Sequence, residues 1–400
     1  APAAPPAPTV APRAPLPAPP LVPPPAAPLP IVPLAVVPLP AVLLPAEPRS
    51  ALPLATVPLL SCPSTSAIVT TPSARPAAGA SAATSAGSAP APYADLMPGS
   101  PYTDLDRPPL HAGRLRRALV VPDGLWTRLV LHAETGSTNA DAVAAARDGE
   151  PEGLIVVAER QTAGRGRRGR SWESPARAGI ATSVLLRPGV AVPGRGWPAV
   201  PPARYGWLPM LAGVALAEAV TRLAELAPVL KWPNDLLLAV DPGAATNRAG
   251  PTEWAKCAGI LAESVAVPAG QPPAVVLGIG LNVTVRADEL PVNPTGLPAT
   301  SLRLAGAAAT DRDPLLRELL RGVERWYGRW RAAAGDPTTC GLRESYLRYC
   351  ATIGRPVRVL LPAGDEVTGT ARTVDPDGQL VLDTASGERR IAAGDVLHVR

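Results

Sequence analysis

The sequence predicts an α/β (α+β) domain followed by a small all-β barrel, with a disordered segment in front of them. Positions 1–96 are dominated by Pro and Ala, positions 97–350 mix strand-like apolar runs with helical stripes, and positions 351–400 contain short strands separated by turns. About 300 of the 400 residues can therefore fold, which is enough for one sizeable core and a small second domain.

The segment 1–96 is a low-complexity chain, rich first in Pro and Ala and then in Ser, Ala and Gly. Proline removes backbone donors and alanine buries little apolar surface, so we expect no packed core there but polyproline II character. The residue usage becomes ordinary at Met97. Our hypothesis is that Met97 is the true start and that the upstream segment is a tail or a gene-model extension.

The segment 97–350 shows the mixed periodicities of an α/β domain, because apolar stripes at helical spacing alternate with apolar runs typical of strands. Ser137 and Thr138 are expected to cap the second helix. Residues 241–255, between two strands, are interpreted as a surface insertion. The helices are predicted at 114–121, 138–146, 207–226 and 314–333, and the strands at 129–133, 154–159, 180–186, 229–232, 235–240, 256–267 and 274–285.

The segment 351–400 changes to short strands with Gly, Pro and Asp clusters between them, which are turn signals. These strands are predicted at 357–361, 367–374, 380–383, 389–392 and 396–399. Five short strands in so few residues predict a small barrel. A module of that size is marginal alone, so we expect it to pack on the central domain.

The charge and the cysteines limit the class of protein. A net charge of +5 and a pI of about 9.3 favour a solvated surface with some anion sites, with nucleic-acid binding as the alternative. Four cysteines without a CxxC pair are interpreted as reduced thiols of a cytoplasmic protein. No apolar stretch free of Pro is long enough to span a membrane, so we expect no membrane span.

Lysine is almost absent, since only Lys231 and Lys256 among the 38 basic residues are lysines. Phe is missing altogether, and this skew indicates that Arg replaces Lys wherever a positive charge suffices. A lysine that survives such a skew needs a compact ammonium group with movable donors, which arginine cannot imitate. We therefore expect both lysines to carry chemistry.

A Gly/Arg loop at 164–172 follows a predicted strand and ends in Trp172. Its three glycines let the backbone bend tightly, and its arginines can bind carboxylate or phosphate in a two-pronged way. The indole of Trp172 offers a face on which a base can stack. The loop therefore suits a ligand with a carboxylate, a phosphate and a purine, although an RNA-binding tract has a similar composition.

Three further segments place polar residues and glycines on neighbouring predicted strands. The segment 231–235, Lys-Trp-Pro-Asn-Asp, brings an amine, an amide and a carboxylate together. Its Asp235 is a candidate Mg²⁺ ligand, although ordinary turn chemistry also explains an Asn-Asp pair. The segments 256–263 and 278–283 contain glycines, which let a ligand approach the backbone of a strand or mark a bulge.

Five motifs together resemble biotin–protein ligases, and their order is specific although each motif alone is weak. They are Glu-Thr-Gly-Ser-Thr-Asn at 134–139, the Gly/Arg loop with Trp172, Lys-Trp-Pro-Asn-Asp at 231–235, Lys-Cys-Ala-Gly-Ile-Leu at 256–261 and Gly-Ile-Gly-Leu-Asn-Val at 278–283. The resemblance extends over about residues 110–400. Both lysines and three of the five asparagines of the chain fall within the motifs.

The resemblance implies a catalytic domain similar to class II aminoacyl-tRNA synthetases and lipoate–protein ligases, with an SH3-like barrel behind it. It also implies that ATP and biotin are substrates, with Mg²⁺, for the formation of biotinyl-5'-AMP. The biotin would then pass to a lysine of a biotin carboxyl carrier protein domain, in acetyl-CoA carboxylase or a related carboxylase.

The resemblance further implies a role for each motif residue. The biotin site would comprise Ser137, Thr138, Asn139, Gln161, Arg165, Gly166, Arg167, Lys256 and Gly259. The nucleotide site would comprise Arg167, Arg168, Arg170, Trp172, Asn234 and Asn282. The catalytic residues would be Lys256, Arg165, Asp235 and Lys231, with Asp235 as the candidate ligand of Mg²⁺.

Several alternatives bear on this interpretation. A lipoate or octanoate–protein ligase has the same fold, and the Gly/Arg loop followed by Trp172 argues against it. A nucleic-acid-binding protein calls for many exposed aromatics, yet aromatic residues make up 4% of the chain. A non-catalytic biotin sensor would tolerate loss of the lysines, and both are present. The Pro-rich segment cannot form the winged helix of the family's repressors, so we expect no operator DNA, whereas a homodimer stays open.

Overall fold

The computed structural model describes residues 107–240, 253–267, 270–291, 297–362 and 364–398. The predictions for 1–96, for Met97 and for most of the insertion at 241–255 lie outside these residues. Within them, the chain forms a mixed seven-stranded sheet covered by helices and a second, five-stranded sheet. The predicted fold class is confirmed.

The seven-stranded sheet has the order β1-β2-β3-β7-β6-β5-β4. Its strands are β1 Arg128–His132, β2 Leu154–Ala158, β3 Gly179–Leu186, β4 Val229–Lys231, β5 Asp235–Ala239, β6 Trp254–Val265 and β7 Ala274–Asn282. β1 and β2 are parallel, and every other neighbouring pair is antiparallel. All seven predicted strands are present, and β6 begins two residues before its predicted start.

The helices cover the two faces of this sheet unequally. They are α1 Ala112–Leu119, α2 Thr138–Arg147, α3 Leu208–Ala219, α4 Arg312–Ala332 and α5 Leu342–Tyr349. α1, α3, α4 and α5 belong to the main core on one face, whereas α2 packs on the other face over β2, β3 and β7. Side chains of β7 alternate between the two faces of the sheet. Val275 and Leu277 lie in the main core, and Ala274 and Val276 lie in the core under α2.

α3 is the central helix of the main core, and ten of its 12 residues are buried. A helix that is apolar all round is expected to be buried on all sides. The longer helical stretch Pro202–Ala224 is long and apolar enough to cross a membrane by length and composition, and 72% of its most apolar window is buried inside the fold. Its burial is that of a core helix.

The second sheet has the order β11-β10-β9-β8-β12 and is antiparallel throughout. Its strands are β8 Pro356–Leu360, β9 Glu366–Val374, β10 Leu380–Thr384, β11 Gly387–Ile391 and β12 Asp395–His398. The buried residues Val357 and Leu380 of this barrel belong to the same apolar cluster as α3. Trp232 Nε1 also donates to the carbonyl of Gly378 at 3.2 Å. The barrel therefore shares its core with the larger domain.

Helix α5 is the element that sequence patterns did not predict. It begins after Gly341, which has a positive φ of 76°, and buries Leu342, Ser345 and Tyr346 on one face. Eight residues give only two repeats of a helical stripe, which is too few to distinguish from a loop. The helix packs against α3, β4 and β9 and leads the chain into the barrel.

His398 on β12 lies at the seam between the two sheets. Its Nε2 is 3.3 Å from Thr352 Oγ1, whose oxygen also accepts from the backbone N–H of Trp232 at 3.0 Å. Burial lowers the pKa of His398 to about 4, and the positive charges of Lys231 and Arg355 act in the same direction. The imidazole is therefore neutral in the folded protein near pH 7.

This pKa predicts a loss of stability in mild acid. An unfolded histidine takes up its proton near pH 6.5, before the folded one does, so the free energy of unfolding should fall as the pH falls from about 6.5 towards 4. Because the ring is partly exposed, we expect His398 to lower the free energy of unfolding by about 1 kcal/mol between pH 7 and pH 5. Urea unfolding at both pH values should show a smaller difference for His398→Gln than for wild type. The exposed His111→Gln variant is the control, and an equal difference in all three proteins would contradict the assignment.

Candidate active site

The candidate site lies on the face of the seven-stranded sheet that carries α2. The strand register aligns one row of directly paired residues across five strands, namely Ala181, Gly280, Gly259, Asp235 and Lys231. Directly paired residues point to the same side of a sheet. Two glycines and two charged side chains from four strands therefore share one line.

The N-terminus of α2 forms the polar end of the site. Gln161 Oε1 accepts from the backbone N–H of Thr138 at 2.8 Å and from its hydroxyl at 3.0 Å. Ser183 Oγ donates to Asn139 Oδ1 at 2.6 Å and lies 2.8 Å from Thr138 Oγ1. Ser137 caps the helix as predicted, by accepting from a backbone N–H in its first turn. The four predicted residues of this region thus lie together and are buried or half-buried.

Asn139 is fixed between two neighbouring strands. Its Nδ2 donates to Glu263 Oε2 at 2.7 Å, and a Cβ atom on Gly278 would overlap its amide group. Gly278 is therefore needed for close approach rather than for an unusual backbone angle. Sequence analysis missed Ser183 and Glu263 as site residues. Every second residue of a strand faces the same side, so Glu263 lies on the same face of β6 as Gly259. That spacing could have identified Glu263 from the sequence.

The Gly/Arg loop folds as a hairpin. The Trp172 N–H donates to the Gly164 carbonyl at 2.9 Å, and the Gly166 N–H donates to the Arg170 carbonyl at 2.6 Å. A side chain at position 164 would overlap the Trp172 carbonyl. Arg168 at the turn has a φ of 56°, in the left-handed region. Gly164 therefore allows tight backbone packing, and Gly169, with a φ of 72°, allows the turn, as the sequence suggested.

The Trp172 indole covers the two glycines of the central row. A Cβ atom on Gly280 would come within 2.5 Å of its Cε2 atom, and one on Gly259 within 3.2 Å of its Cζ3 atom. The Lys256 ammonium group lies 5.8 Å from the centre of the indole, within cation–π range. The bare backbone of these two strands forms a platform on which a flat group can lie. We call it the glycine platform.

The two lysines of the chain flank one carboxylate. Lys256 Nζ lies 2.6 Å from Asp235 Oδ1, and Lys231 Nζ lies 3.6 Å from Asp235 Oδ2. Burial raises the pKa of Asp235, but Lys256 and Lys231 outweigh it and hold that pKa below its ordinary value. Burial lowers the pKa of Lys231 against the opposing charge of Asp235. The trio leaves a surplus of one positive charge beside the platform, which favours an anionic ligand.

Arg167 is the loop arginine that reaches the sheet. Its Nη1 donates to Asn234 Oδ1 at 2.9 Å, while Asn234 Nδ2 donates to the Ile260 carbonyl at 3.0 Å. Asn234 is therefore held on β6 and in turn orients the guanidinium. This arrangement adds a third cation, beside Lys231 and Lys256, to the charged end of the glycine platform.

The remaining predicted residues are directed elsewhere. Arg165 is exposed, and within the described ranges its guanidinium makes no hydrogen bond or ion pair. Arg168 and Arg170 form ion pairs with Asp395 of the barrel at 3.2 and 3.0 Å. Asn282 Nδ2 donates to the Thr300 carbonyl at 3.0 Å, so its amide supports the segment beside Lys256.

Asp235, the candidate Mg²⁺ ligand, has cationic surroundings in this structure. Magnesium is held by oxygen ligands, typically one or two carboxylates together with substrate phosphates. The oxygens of Asp235 face two ammonium groups, so a divalent cation there would meet two positive charges. In the described part of the chain, no three His, Cys, Asp or Glu residues form a group that could hold a metal.

A cavity of about 490 Å³ lies next to this site, at the seam between the sheet and the barrel. Arg167 and Asn234 contribute to its wall, as do Ile260 and Ser264 of β6. The latter two alternate along the strand with the residues of the glycine platform, so they lie on the opposite face of the sheet. The cavity is therefore a neighbour of the site and not the platform itself.

The packing of Trp172 on Gly259 and Gly280 predicts that the Gly/Arg loop stays folded only if these two positions lack a side chain. Gly280→Val should displace the Trp172 indole and loosen the hairpin, so trypsin should cleave at the loop arginines several-fold faster than in wild type. Gly194→Ala is the matched control, because a Cβ atom there meets nothing within 4 Å. Mass spectrometry of early cleavage products gives the readout. Equal loop cleavage in Gly280→Val and Gly194→Ala would contradict the packing described.

Comparison with known protein families matches both parts of the fold. Residues 137–282 match the biotin/lipoate A/B protein ligase family, and residues 352–399 match the biotin protein ligase C terminal domain. The first range holds α2, the Gly/Arg loop and the glycine platform, and the second holds the barrel.

Individual relatives agree with the family matches. A biotin protein ligase structure from Aquifex aeolicus, in complex with biotin and ATP, shares the fold with a TM-score of 0.50 and 23% identity, over 69% of this chain and 100% of that chain. The Paracoccus denitrificans biotin–[acetyl-CoA-carboxylase] ligase is 32% identical over 66% of this chain and 98% of its own. The Mycobacterium tuberculosis enzyme of the same name is 42% identical over 74% of this chain and 100% of its own. With both of its regions matched in order and a relative this similar over its full length, the chain belongs to the biotin–protein ligase family.

Proposed function

We propose that this protein activates biotin with ATP to form biotinyl-5'-AMP and transfers the biotin to a lysine of a biotin carboxyl carrier protein domain. The observation that carries the proposal is the position of Lys256, whose ammonium group lies beside both Trp172 and Asp235 at the glycine platform. Biotin–[acetyl-CoA-carboxylase] ligases that cover this chain's folded part support the same activity.

The platform and the polar end fit the two ends of a biotin molecule. The bicyclic ring system is largely apolar but has a polar ureido group, which needs hydrogen-bond partners when it is buried. The α2 end offers Ser137, Thr138, Asn139 and Gln161 for that group. The backbone at Gly259 and at Gly166 is proposed to lie against the chain that follows the ring, beside the Trp172 indole that covers Gly259.

The carboxylate of biotin would then lie at the cationic end. Its oxygen attacks the α-phosphorus of ATP, the bond from that phosphorus to the bridging oxygen breaks, and pyrophosphate leaves. Two anions must meet in this step, and the cations Lys256 and Arg167 offset their repulsion. Trp172 and Asn234 are proposed to contact the nucleotide, with Lys231 supporting the charge of Asp235.

In the second step, the neutral amine of the carrier lysine attacks the acyl carbon of the adenylate. The carbon–oxygen bond to AMP breaks, AMP leaves as a phosphate monoester, and the amine loses its proton as the amide forms. A mixed anhydride is readily hydrolysed, so a loop folded over the platform would protect it from water.

Magnesium enters this proposal as part of the nucleotide substrate, because Mg²⁺ is held largely by substrate phosphates in such sites. No step is assigned to a metal on Asp235, since its oxygens face Lys231 and Lys256. Asp235 is instead proposed to orient Lys256.

The proposed macromolecular partner is the carrier domain of a biotin-dependent carboxylase. The reaction is proposed to occur in the cytoplasm, where reduced thiols persist, and the described cysteines Cys257, Cys340 and Cys350 are free and buried. Neither operator DNA nor a membrane takes part in the proposal. The chemistry needs one chain, so a homodimer is not required.

The first test is pyrophosphate release from ATP, measured with biotin and separately with lipoate. Wild type should release pyrophosphate with biotin only, and Lys256→Ala should lower the rate by about 100-fold, because it removes a cation aimed at developing charge. Lys256→Arg should not restore the rate, since the fork of arginine does not replace a compact ammonium. Arg114→Ala, on the exposed side of α1, is the control.

The outcomes of this test separate the alternatives. Release with lipoate instead of biotin would assign the chain to the other branch of the matched family. Release with neither acid would exclude the proposed activity. A full rate in Lys256→Ala would show that another group stabilises the charge.

A second prediction concerns Asp235. Asp235→Asn should lower the rate of adenylation by about tenfold or more, because Lys256 loses the partner that orients it. The Mg²⁺ concentration that gives half the maximal rate should stay the same, since the carboxylate is not a metal ligand. Measuring initial rates over a range of MgCl₂ checks this, with Asp288→Asn as an acidic control outside the site. A weaker Mg²⁺ dependence in Asp235→Asn would establish Asp235 as a ligand.

A further inference from the structure

The barrel contacts the Gly/Arg loop where β8 ends and β12 begins, and Asp395 at the start of β12 makes the ion pairs. Arg168 Nη1 lies 3.2 Å from Asp395 Oδ2, and Arg170 Nη2 lies 3.0 Å from Asp395 Oδ1. One carboxylate therefore binds two loop arginines, with one oxygen for each. The loop belongs to the domain of the glycine platform, so these ion pairs join the two domains.

Backbone carbonyls of the barrel complete the contact. Arg168 donates to the carbonyls of Leu360 and Leu361 at 3.5 and 3.2 Å, and Arg167 donates to that of Gly394 at 3.4 Å. Leu360 is the direct cross-strand partner of Asp395, so the acceptors lie together at one end of the β8–β12 pair. Arg167, Arg168 and Arg170 of the loop thus all bind oxygens at this end of the barrel.

The loop conformation agrees with an external support. Arg168 is a non-glycine residue with a φ of 56°, which L residues adopt only at a cost. It lies at the tip of the hairpin, and the backbone hydrogen bonds of the hairpin are made by the residues on either side of it, Gly166, Arg167 and Arg170. Its side chain reaches the barrel instead. Contacts outside the loop therefore offset the cost of the turn.

We propose that Asp395 is a positioning residue that anchors the Gly/Arg loop over the glycine platform, so that the barrel keeps the loop closed. Arg168 and Arg170 then act by binding the barrel and not by binding the nucleotide. Arg167 also donates to Asn234 and thereby connects the anchored loop to the site. The effect on catalysis rests on the proposed function, because the closed loop shields the acyl-adenylate from water.

Loop closure can be tested without any ligase activity. Arg165 is exposed and precedes the anchored residues, so the rate at which trypsin cleaves after Arg165 reports opening of the hairpin. In the full chain, Asp395→Asn should raise this rate by about fivefold or more, and Asp395→Glu should restore most of the protection. Asp383→Asn is the matched control, because Asp383 is an exposed barrel carboxylate paired with Arg372.

A double-mutant cycle separates anchoring from a general loss of stability. Arg170→Gln should raise cleavage after Arg165, and adding Asp395→Asn to it should raise the rate by less than the product of the two single effects. The melting temperatures of the variants should stay close to that of wild type. Cleavage in Asp395→Asn equal to that in Asp383→Asn, or fully multiplicative effects, would overturn the proposal.

The catalytic consequence has its own measurement. Radiolabelled biotinyl-5'-AMP formed in place should leave Asp395→Asn several-fold faster than wild type during rapid desalting, whereas Asp383→Asn should retain it. Equal retention in a variant whose loop opens would overturn the link to catalysis. If wild type forms no adenylate, the proposed function fails, while the cleavage experiment still decides whether Asp395 anchors the loop.

Discussion

The buried carboxylate of Asp235 has to compensate two ammonium groups, and the arrangement of the site depends on how it does so. Burial lowers the pKa of Lys231, and the charge of Asp235 opposes that effect, so the ammonium group of Lys231 depends on this carboxylate. The pairing still leaves one positive charge in excess. An anionic substrate would neutralise that surplus, so the charge balance of these three side chains also explains a preference for a carboxylate or phosphate.

The sheet supplies the geometry on which this charge balance relies. Because cross-strand partners face the same side, the register that pairs Gly280 with Gly259 and Gly259 with Asp235 also sets the distance from the platform to the charges. A shift of the strand pairing by one residue would place the side chains of this row in the core on the opposite face of the sheet. The apolar residues that alternate with the row, such as Ile279 and Leu281, prevent that slip by filling the main core. Core packing and site geometry are therefore fixed by the same alternation.

Sequence patterns predicted the elements and most of the motifs, because strands, helix caps and glycine-rich turns leave local signals. The scarcity of lysine pointed to Lys231 and Lys256 without any structural information. Partners brought together by tertiary structure left no such signal. Ser183 and Glu263 resemble ordinary strand residues, and Asp395 is one acidic residue in a short strand. Their roles arise from contacts made 44 or more positions away in the chain. The loop arginines illustrate the same limit, since their spacing indicates an anion but cannot tell whether that anion is a ligand or the carboxylate of another domain.

The weakness of the individual loop contacts is itself informative. Arg170 is more than half exposed and Arg168 about a third, and ion pairs at such positions contribute about 0–1 kcal/mol each. A loop held by several contacts of this size opens more readily than the core, as a segment must if it is to admit substrates and release AMP. A single strong buried pair would keep the loop ordered but would also slow its opening. Distributing the support over Asp395, the barrel carbonyls and the glycine platform lets the loop close without making closure permanent. This also gives a physical reason for the barrel to share its core with the larger domain, because an anchor can position a loop only if it does not move itself.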